Sequence, residues 1–273
     1  MPNNIAIIAG SGSLPSLVLN CISKNAHKKV CVLAIKDNAE VSLFHNIDCA
    51  VIHLGQVEKA IRFLREHFVT EILLAGGIKK PSLLSMKIDK KGLLCLGKLG
   101  LKVLSGGDDK LLKVVIDLFE AEGFKVVSVQ DVAPSLLASK GVIGKYSPSK
   151  PDLQDIEIGN NVLLRMGDLD IGQSVIVENE VVLGVEAAEG TDKLIERCSV
   201  LKKEKQGVGV LVKRKKTHQD IRVDLPTIGI NTIELAYRSG FKGIAIGANE
   251  SLILDKESVI NLANKYKLFL VGI

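Results

Sequence analysis

Short apolar runs alternate with amphipathic stretches through the first half of the chain. Residues 5–9 form an apolar run that ends in Gly10-Ser11-Gly12-Ser13-Leu14-Pro15, and a helical pattern follows to about residue 24. Residues 30–35, 50–54, 71–75 and 125–129 read as further strands. Between residues 56 and 67, Val57, Ala60, Ile61 and Leu64 recur on one helical face. Residues 109–122 predict a helix closed by Gly123. Strands alternating with helices predict a parallel sheet covered on both faces, an α/β Rossmann-like domain over residues 1–138.

The pattern breaks over residues 139–155, where Gly, Pro and Ser occur without periodicity, and this stretch is expected to be the linker or hinge. A mixed α/β domain is predicted over residues 156–273, entered by a helix over 153–166. Residues 173–177 and 181–187 alternate around Glu178-Asn179-Glu180, which predicts a hairpin. A short helix over 191–197 and a strand over 207–212 follow. Asn231-Thr232-Ile233-Glu234 resembles a capping box with Asn231 as N-cap, and Gly240 stops that helix. Strands over 243–247, 252–254 and 268–271 flank a helix over 256–265.

Composition narrows the classes. Of 273 residues, 47% are hydrophobic but only 4% aromatic and none is Trp, so aliphatic side chains must fill the cores. Basic residues outnumber acidic ones 36 to 31, a mild excess that suits anionic small molecules or an anionic membrane surface. The basic-plus-aromatic composition of a single-strand binder is missing, and no nucleic-acid partner is expected. Five cysteines, at 21, 31, 49, 95 and 198, form no C-x-x-C pair and read as reduced thiols of a cytoplasmic protein. No apolar run reaches the ~18 residues of a spanning helix, so any membrane contact is expected to be peripheral. Gly10 and Gly12 break the N-terminal apolar run, and no signal peptide is expected.

Candidate chemistry gathers in several turns. The Gly10/Gly12 loop, with Ser13, lies between a strand and a helix, where amides and the helix dipole favour an anion. It is half of a dinucleotide fingerprint: the third glycine is replaced by Pro15, while Asp37 stands about where a ribose-binding acid would. Gly76-Gly77-Ile78-Lys79 follows another strand, and Lys79 or Lys80 could meet a phosphate. Asp108 opens a helix as an N-cap or a metal ligand. Asp168 and Asp170 share a face if extended, as metal ligands, or else form a turn. Glu186-Ala187-Ala188-Glu189-Gly190-Thr191-Asp192 carries more polar side chains than a plain connection needs, and Thr191 is a candidate cap that leaves amides for a ligand. Lys213-Arg214-Lys215-Lys216 reads as a solvated edge, with anionic lipid as the alternative. Leu93, Leu94, Leu96, Leu99, Leu101, Val103 and Leu104 read as core, with an acyl-chain groove as the alternative. The histidines lack metal-ligand spacing, and only His218 lies near a candidate site.

In Asp220-Ile221-Arg222-Val223-Asp224-Leu225-Pro226, charges alternate with apolar residues. An extended chain would project Asp220, Arg222 and Asp224 from one face, and Pro226 favours that geometry. Two carboxylates and a guanidinium suit metal-assisted phosphate chemistry, with a surface ion-pair ladder as the alternative.

Five blocks, Gly10-Ser-Gly-Ser-Leu-Pro15, Gly106-Gly-Asp-Asp109, Gly167-Asp-Leu-Asp-Ile-Gly-Gln-Ser174, Val185-Glu-Ala-Ala-Glu-Gly-Thr-Asp192 and Gln219-Asp-Ile-Arg-Val-Asp-Leu-Pro-Thr-Ile-Gly229, resemble the LpxI family in order over nearly the whole chain. These are bacterial UDP-2,3-diacylglucosamine pyrophosphatases of lipid A biosynthesis. The resemblance implies Mg2+-dependent hydrolysis of that nucleotide-linked glycolipid to UMP and lipid X by a cytoplasmic enzyme at the inner membrane face. It also implies a site between two hinged domains. Asp224 is the implied essential carboxylate, with Arg222 and Asp220 beside it and Asp168 and Asp170 as further metal candidates. Gly12, Ser13, Gly77, Lys79, Glu189, Thr191 and Asp192 are expected to bind substrate. A homodimer stays open. An NAD(P)-dependent oxidoreductase and a non-catalytic sugar-nucleotide or lipid-binding protein are the alternatives.

Overall fold

The computed structural model describes residues 4–24, 28–78, 87–99, 108–203, 206–217, 220, 222 and 224–273, with backbone only at 95, 96, 98, 99 and 108–111. The chain forms two compact units. One comprises Met1–Ser135 with Asp220–Val223, the other Leu136–Gln219 with Asp224–Ile273.

In the first unit, β1 (Asn4–Ala9), α1 (Leu14–Ser23), β2 (Val30–Ile35), β3 (Cys49–Ile52), α2 (Val57–Glu66), β4 (Val69–Ala75), α3 (Lys90–Leu99), α4 (Asp108–Ala121), β5 (Lys125–Val127) and the single turn α5 (Val129–Val132) follow in sequence. The strands pair in parallel in the order β3-β2-β1-β4-β5. Their apolar runs lack polar alternation because both sheet faces are buried. Leu33, Ile72, Leu64 and Ile116 pack on one face, while Ile5 and Ile7 are equally buried. The strand expected to reach residue 129 stops at Val127, because Ser128 caps α5: its Oγ accepts the Asp131 amide and Asp131 accepts the Ser128 amide. Asp89 seeds α3, which the sequence pattern does not announce. Its Oδ1 accepts the Gly92 amide at 2.8 Å and its Oδ2 the Glu58 amide of α2 at 2.7 Å. Leu93 and Leu94 on α3, expected in the core, are exposed; residues 101–104 and the side chains of Leu96 and Leu99 lie outside the described residues.

The second unit contains β6 (Gly141–Val142), α6 (Lys150–Asp168), β7 (Ser174–Glu178), β8 (Val181–Val185), α7 (Thr191–Ser199), β9 (Val210–Lys213), β10 (Thr227–Ile228), α8 (Ile230–Arg238), β11 (Gly243–Ile246), β12 (Leu252–Ile253), α9 (Lys256–Lys265) and β13 (Phe269–Gly272). The larger sheet runs β6-β13-β11-β9-β7-β8: β9, β11 and β13 are parallel, β7 opposes both β8 and β9, and β6 opposes β13. Residues 139–155, expected as a connection, thus supply β6 and the start of α6. One face packs Val175, Val210 and Val212 against Ile156 and Leu163 of α6. The other packs Ile176, Leu211 and Ile244 against Leu194, Ile233 and Val259 of α7, α8 and α9. The expected β7–β8 hairpin turns at Asn179 and Glu180, both left-handed, and buried Asp155 accepts their amides at 3.0 and 2.6 Å.

At the carboxyl edge of the first sheet, neighbouring strands β1 and β4 end in glycine turns fastened to each other. Gly10 N donates to Ala75 O, Ser11 N to Gly77 O and Gly77 N to Ser11 O. Gly76 has φ +90°, and a Cβ there would lie 2.5 Å from Ser11 O; Gly12 has φ +88° but open space around it. Gly12→Ala should therefore cost only the left-handed backbone penalty of about 1–2 kcal/mol. Gly76→Ala adds a backbone clash and should cost at least about twice as much. Urea unfolding of the two variants tests this, and equal losses would contradict the fastened edge.

Candidate active site

The second sheet presents a polar cluster at the carboxyl edge of its parallel strands, where open α/β sheets hold ligands. β9 ends on Lys213, paired in register with Ser174 at the start of β7. Strand alternation sets the faces: Val210 and Val212 point to α6, so Leu211 and Lys213 point to the α7 side. Lys213 is only 5% exposed, and its Nζ donates to Thr191 Oγ1 at 2.7 Å. Thr191 donates to Glu186 Oε1 at 3.2 Å, and Ser174 Oγ lies 3.2 Å from the same hydroxyl. One proton and two lone pairs are all that a hydroxyl offers, and these three partners use them. Glu186 is buried, and its Oε2 has no hydrogen-bond partner among the described residues.

Burial pushes the Lys213 ammonium below the usual lysine range, while Glu186, Asp192 and Asp224 pull the other way. Asp192, in the first turn of α7, is held by Asn231 Nδ2 at 2.8 Å. Asn231, expected as the N-cap, lies inside the helix; Gly229 is the N-cap, which releases the Asn231 amide side chain for Asp192. Nor does Thr191 cap its helix. Gly190 at φ +83° is the N-cap, with no side-chain bond, so the first-turn amides of α7 carry no side-chain cap. Glu189 sits lower on this turn: Arg197 donates to it at 2.8 Å and holds its carboxyl below the ordinary range.

Of the expected common face, Asp220 and Arg222 meet, while Asp224 groups with the second unit. Arg222 lies in a turn closed by its own amide on Asp220 Oδ1 at 3.0 Å. Its guanidinium grips Asp220 through Nε at 2.9 Å and Nη2 at 2.7 Å, and Nη1 reaches Glu120 at 2.7 Å. Asp220 and Arg222 belong to the first unit, whereas Asp224 belongs to the second with Lys213. A short acid two residues before a donor competes for that amide, which favours this Asx-type turn at Arg222 over an extended backbone.

The other expected residues disperse. Gly12 and Ser13 are exposed, Ser13 preceding α1 without a side-chain cap, and Gly77 spends its amide and carbonyl on Ser11. Lys79, Lys80, Gly106, Gly107 and His218 lie outside the described residues, as does the side chain of Asp108. Asp168 ends α6, while Asp170 is left-handed and exposed and pairs with Lys216 at 2.6 Å, so the two do not share an extended face. Among the described residues, no group of three or more His, Cys, Asp or Glu is arranged to hold a metal ion. The basic run is not a solvated edge: Lys213 is buried, Arg214 pairs with Glu250 and Asn160, and Lys216 with Asp170. Lys213 was missed because β9 was expected to stop one residue early. Extending the strand to 213 puts this lysine on the face of Leu211.

Two α/β units, one with glycine turns and the other with a lysine among acids at the carboxyl edge of a sheet, define a protein suited to polar, charged ligands. Residues 4–136 match the LpxI N-terminal domain and residues 139–271 the LpxI C-terminal domain. The chain belongs to the LpxI family. It is 35% identical over 275 residues to the UDP-2,3-diacylglucosamine pyrophosphatase LpxI of Caulobacter vibrioides, covering 98% of this chain and 97% of that protein.

The hydrogen bonds from Arg222 hold the Asp220 carboxyl below its ordinary value. A depressed folded value stabilises the fold above the unfolded value of about 4, and that gain is lost as pH falls through the folded value. The stability gap between wild type and Asp220→Asn should be full at neutral pH and close on acidification. Urea midpoints across pH 7 to about 2.5 check the sign. A gap that persists unchanged in acid would contradict it.

Proposed function

We infer that this chain hydrolyses the pyrophosphate of UDP-2,3-diacylglucosamine, releasing UMP and 2,3-diacylglucosamine 1-phosphate in lipid A biosynthesis. The observation that carries the reading is the family match over both units, with a relative of that name alike along nearly its whole length. The oxidoreductase and binding-protein alternatives have no comparable support.

The reaction needs water delivered to one phosphorus and charge neutralised on the phosphate oxygens. The cluster around Lys213 supplies three carboxylates against one ammonium, and a buried Glu186 oxygen lacks a partner among the described residues. A diphosphate cannot approach such a site without added positive charge. Mg2+ fits this donor set, because it takes one or two carboxylates and completes its octahedron with water and substrate phosphates. When bound, it would supply Lewis-acid neutralisation of developing phosphate charge. Asp224, with Glu186 beside Lys213, would hold it or orient the water. The uncapped amides of α7 would meet phosphate oxygens, as helix N-termini do. Glycines 12 and 77 and Lys79 remain candidates for the rest of the substrate.

A diacylated substrate resides in a membrane, so we propose peripheral contact with the cytoplasmic face of the inner membrane. No helix among the described residues is long and apolar enough to cross one. Exposed Leu93 and Leu94 on α3 support acyl or lipid contact.

Asp224→Ala should lower kcat by well over tenfold while folding and substrate binding persist, since a lost metal or water ligand costs several kcal/mol in the barrier. Radiolabelled UMP release measures it, and turnover within about tenfold of wild type would remove Asp224 from this role. EDTA should stop hydrolysis and Mg2+ restore it. Full activity in metal-free buffer would assign the neutralisation to lysine and arginine instead.

A further inference from the structure

Lys213 has no place in the hydrolytic scheme so far, and a solvated basic run would not explain it. It is 5% exposed, its ammonium is bonded to Thr191, and Thr191 is bonded in turn to Glu186. An ammonium is retained in such a place when acids around it would otherwise face one another across a region that water cannot screen. We infer that Lys213 is a positioning residue for the hydrolysis: its buried ammonium, bonded through Thr191 to Glu186, is the built-in counter-charge of the carboxylates at this sheet edge, holding back the divalent cation and keeping the site open to a diphosphate. This rests on the metal-assisted reading above.

The consequence has a sign. The lysine and the metal draw on the same carboxylates, so each weakens the other's hold. Removing the lysine deepens the negative field, which attracts a divalent cation and repels the diphosphate. Metal affinity and substrate affinity therefore move in opposite directions. Loss of packing or local unfolding would weaken both together. A residue that only bonded a phosphate oxygen would change substrate affinity and leave the affinity of the substrate-free protein for metal where it was.

The test uses the full chain as Lys213→Met, Lys213→Arg, Glu186→Gln and the Lys213→Met/Glu186→Gln pair. Mn2+ binding is measured without substrate, by calorimetry and by loss of the free-ion resonance signal. KM and kcat are measured at saturating Mg2+. Lys213→Met should bind Mn2+ roughly fivefold or more tightly, with KM raised roughly tenfold or more. Lys213→Arg should stay within about threefold of wild type for Mn2+, because the charge is kept. If Lys213→Met does not fold, the pair is compared with Glu186→Gln, and removing the lysine should again tighten Mn2+ binding several-fold. Folded variants whose Mn2+ affinity is unchanged or weaker on losing Lys213 would overturn the inference while leaving Mg2+-dependent hydrolysis intact. A wild-type protein that binds no divalent cation and hydrolyses substrate in EDTA would overturn the metal reading and this inference with it.

Discussion

An ammonium at the end of β9, packed under α7 and out of reach of water, sets the terms for everything around it. Its charge must be answered from within the protein, and the answer is Thr191 by hydrogen bond and Glu186, Asp192 and Asp224 by field. These come from three pieces of chain: Glu186 from the turn after β8, Thr191 and Asp192 from the start of α7, and Asp224 from two residues beyond Arg222. Placing the lysine therefore ties three further pieces of chain to β9. The Thr191 hydroxyl has no capacity left over, so a ligand at this turn meets backbone amides and carboxylates rather than that side chain. Glu186 Oε2 differs: among the described residues it is a buried oxygen without a hydrogen-bond partner, one of five such side-chain atoms.

The two units organise the edges of their sheets differently. In the first, the glycine turns after β1 and β4 consume much of their backbone capacity on each other. That fastening explains why Gly10 and Gly76 cannot carry a side chain, and it leaves Gly12 and Ser13 as the exposed end of the loop. In the second, side chains rather than glycines do the organising. The carboxylates there outnumber the lysine, which is the physical ground for expecting a divalent cation with the substrate.

Much of the architecture was legible in the sequence. Strands buried on both faces read as unbroken apolar runs, so residues 30–35 were found to the residue and most other strands within two. The hairpin at Asn179 and Glu180 was legible because alternating apolar residues flank a turn where Asn179 favours left-handed geometry. What failed depended on partners far away in sequence. Asp89 starts α3 while bonding to Glu58, and local pattern does not record this. Charge alternation grouped Asp220, Arg222 and Asp224, whereas the structure divides them. Asp220 closes on Arg222, while Asp224 joins the acids around a lysine that had been read as surface. A single residue of strand length at β9 separated the two readings of Lys213.

Hydrogen–deuterium exchange on the full chain, with Mg2+ and a non-hydrolysable UDP-diacylglucosamine analogue, tests the central claim that this cluster is where the diphosphate binds. The account predicts slowed exchange in peptides spanning the start of α7, the end of β9 and Asp224. Protection elsewhere, with these peptides exchanging as in the free protein, would contradict it.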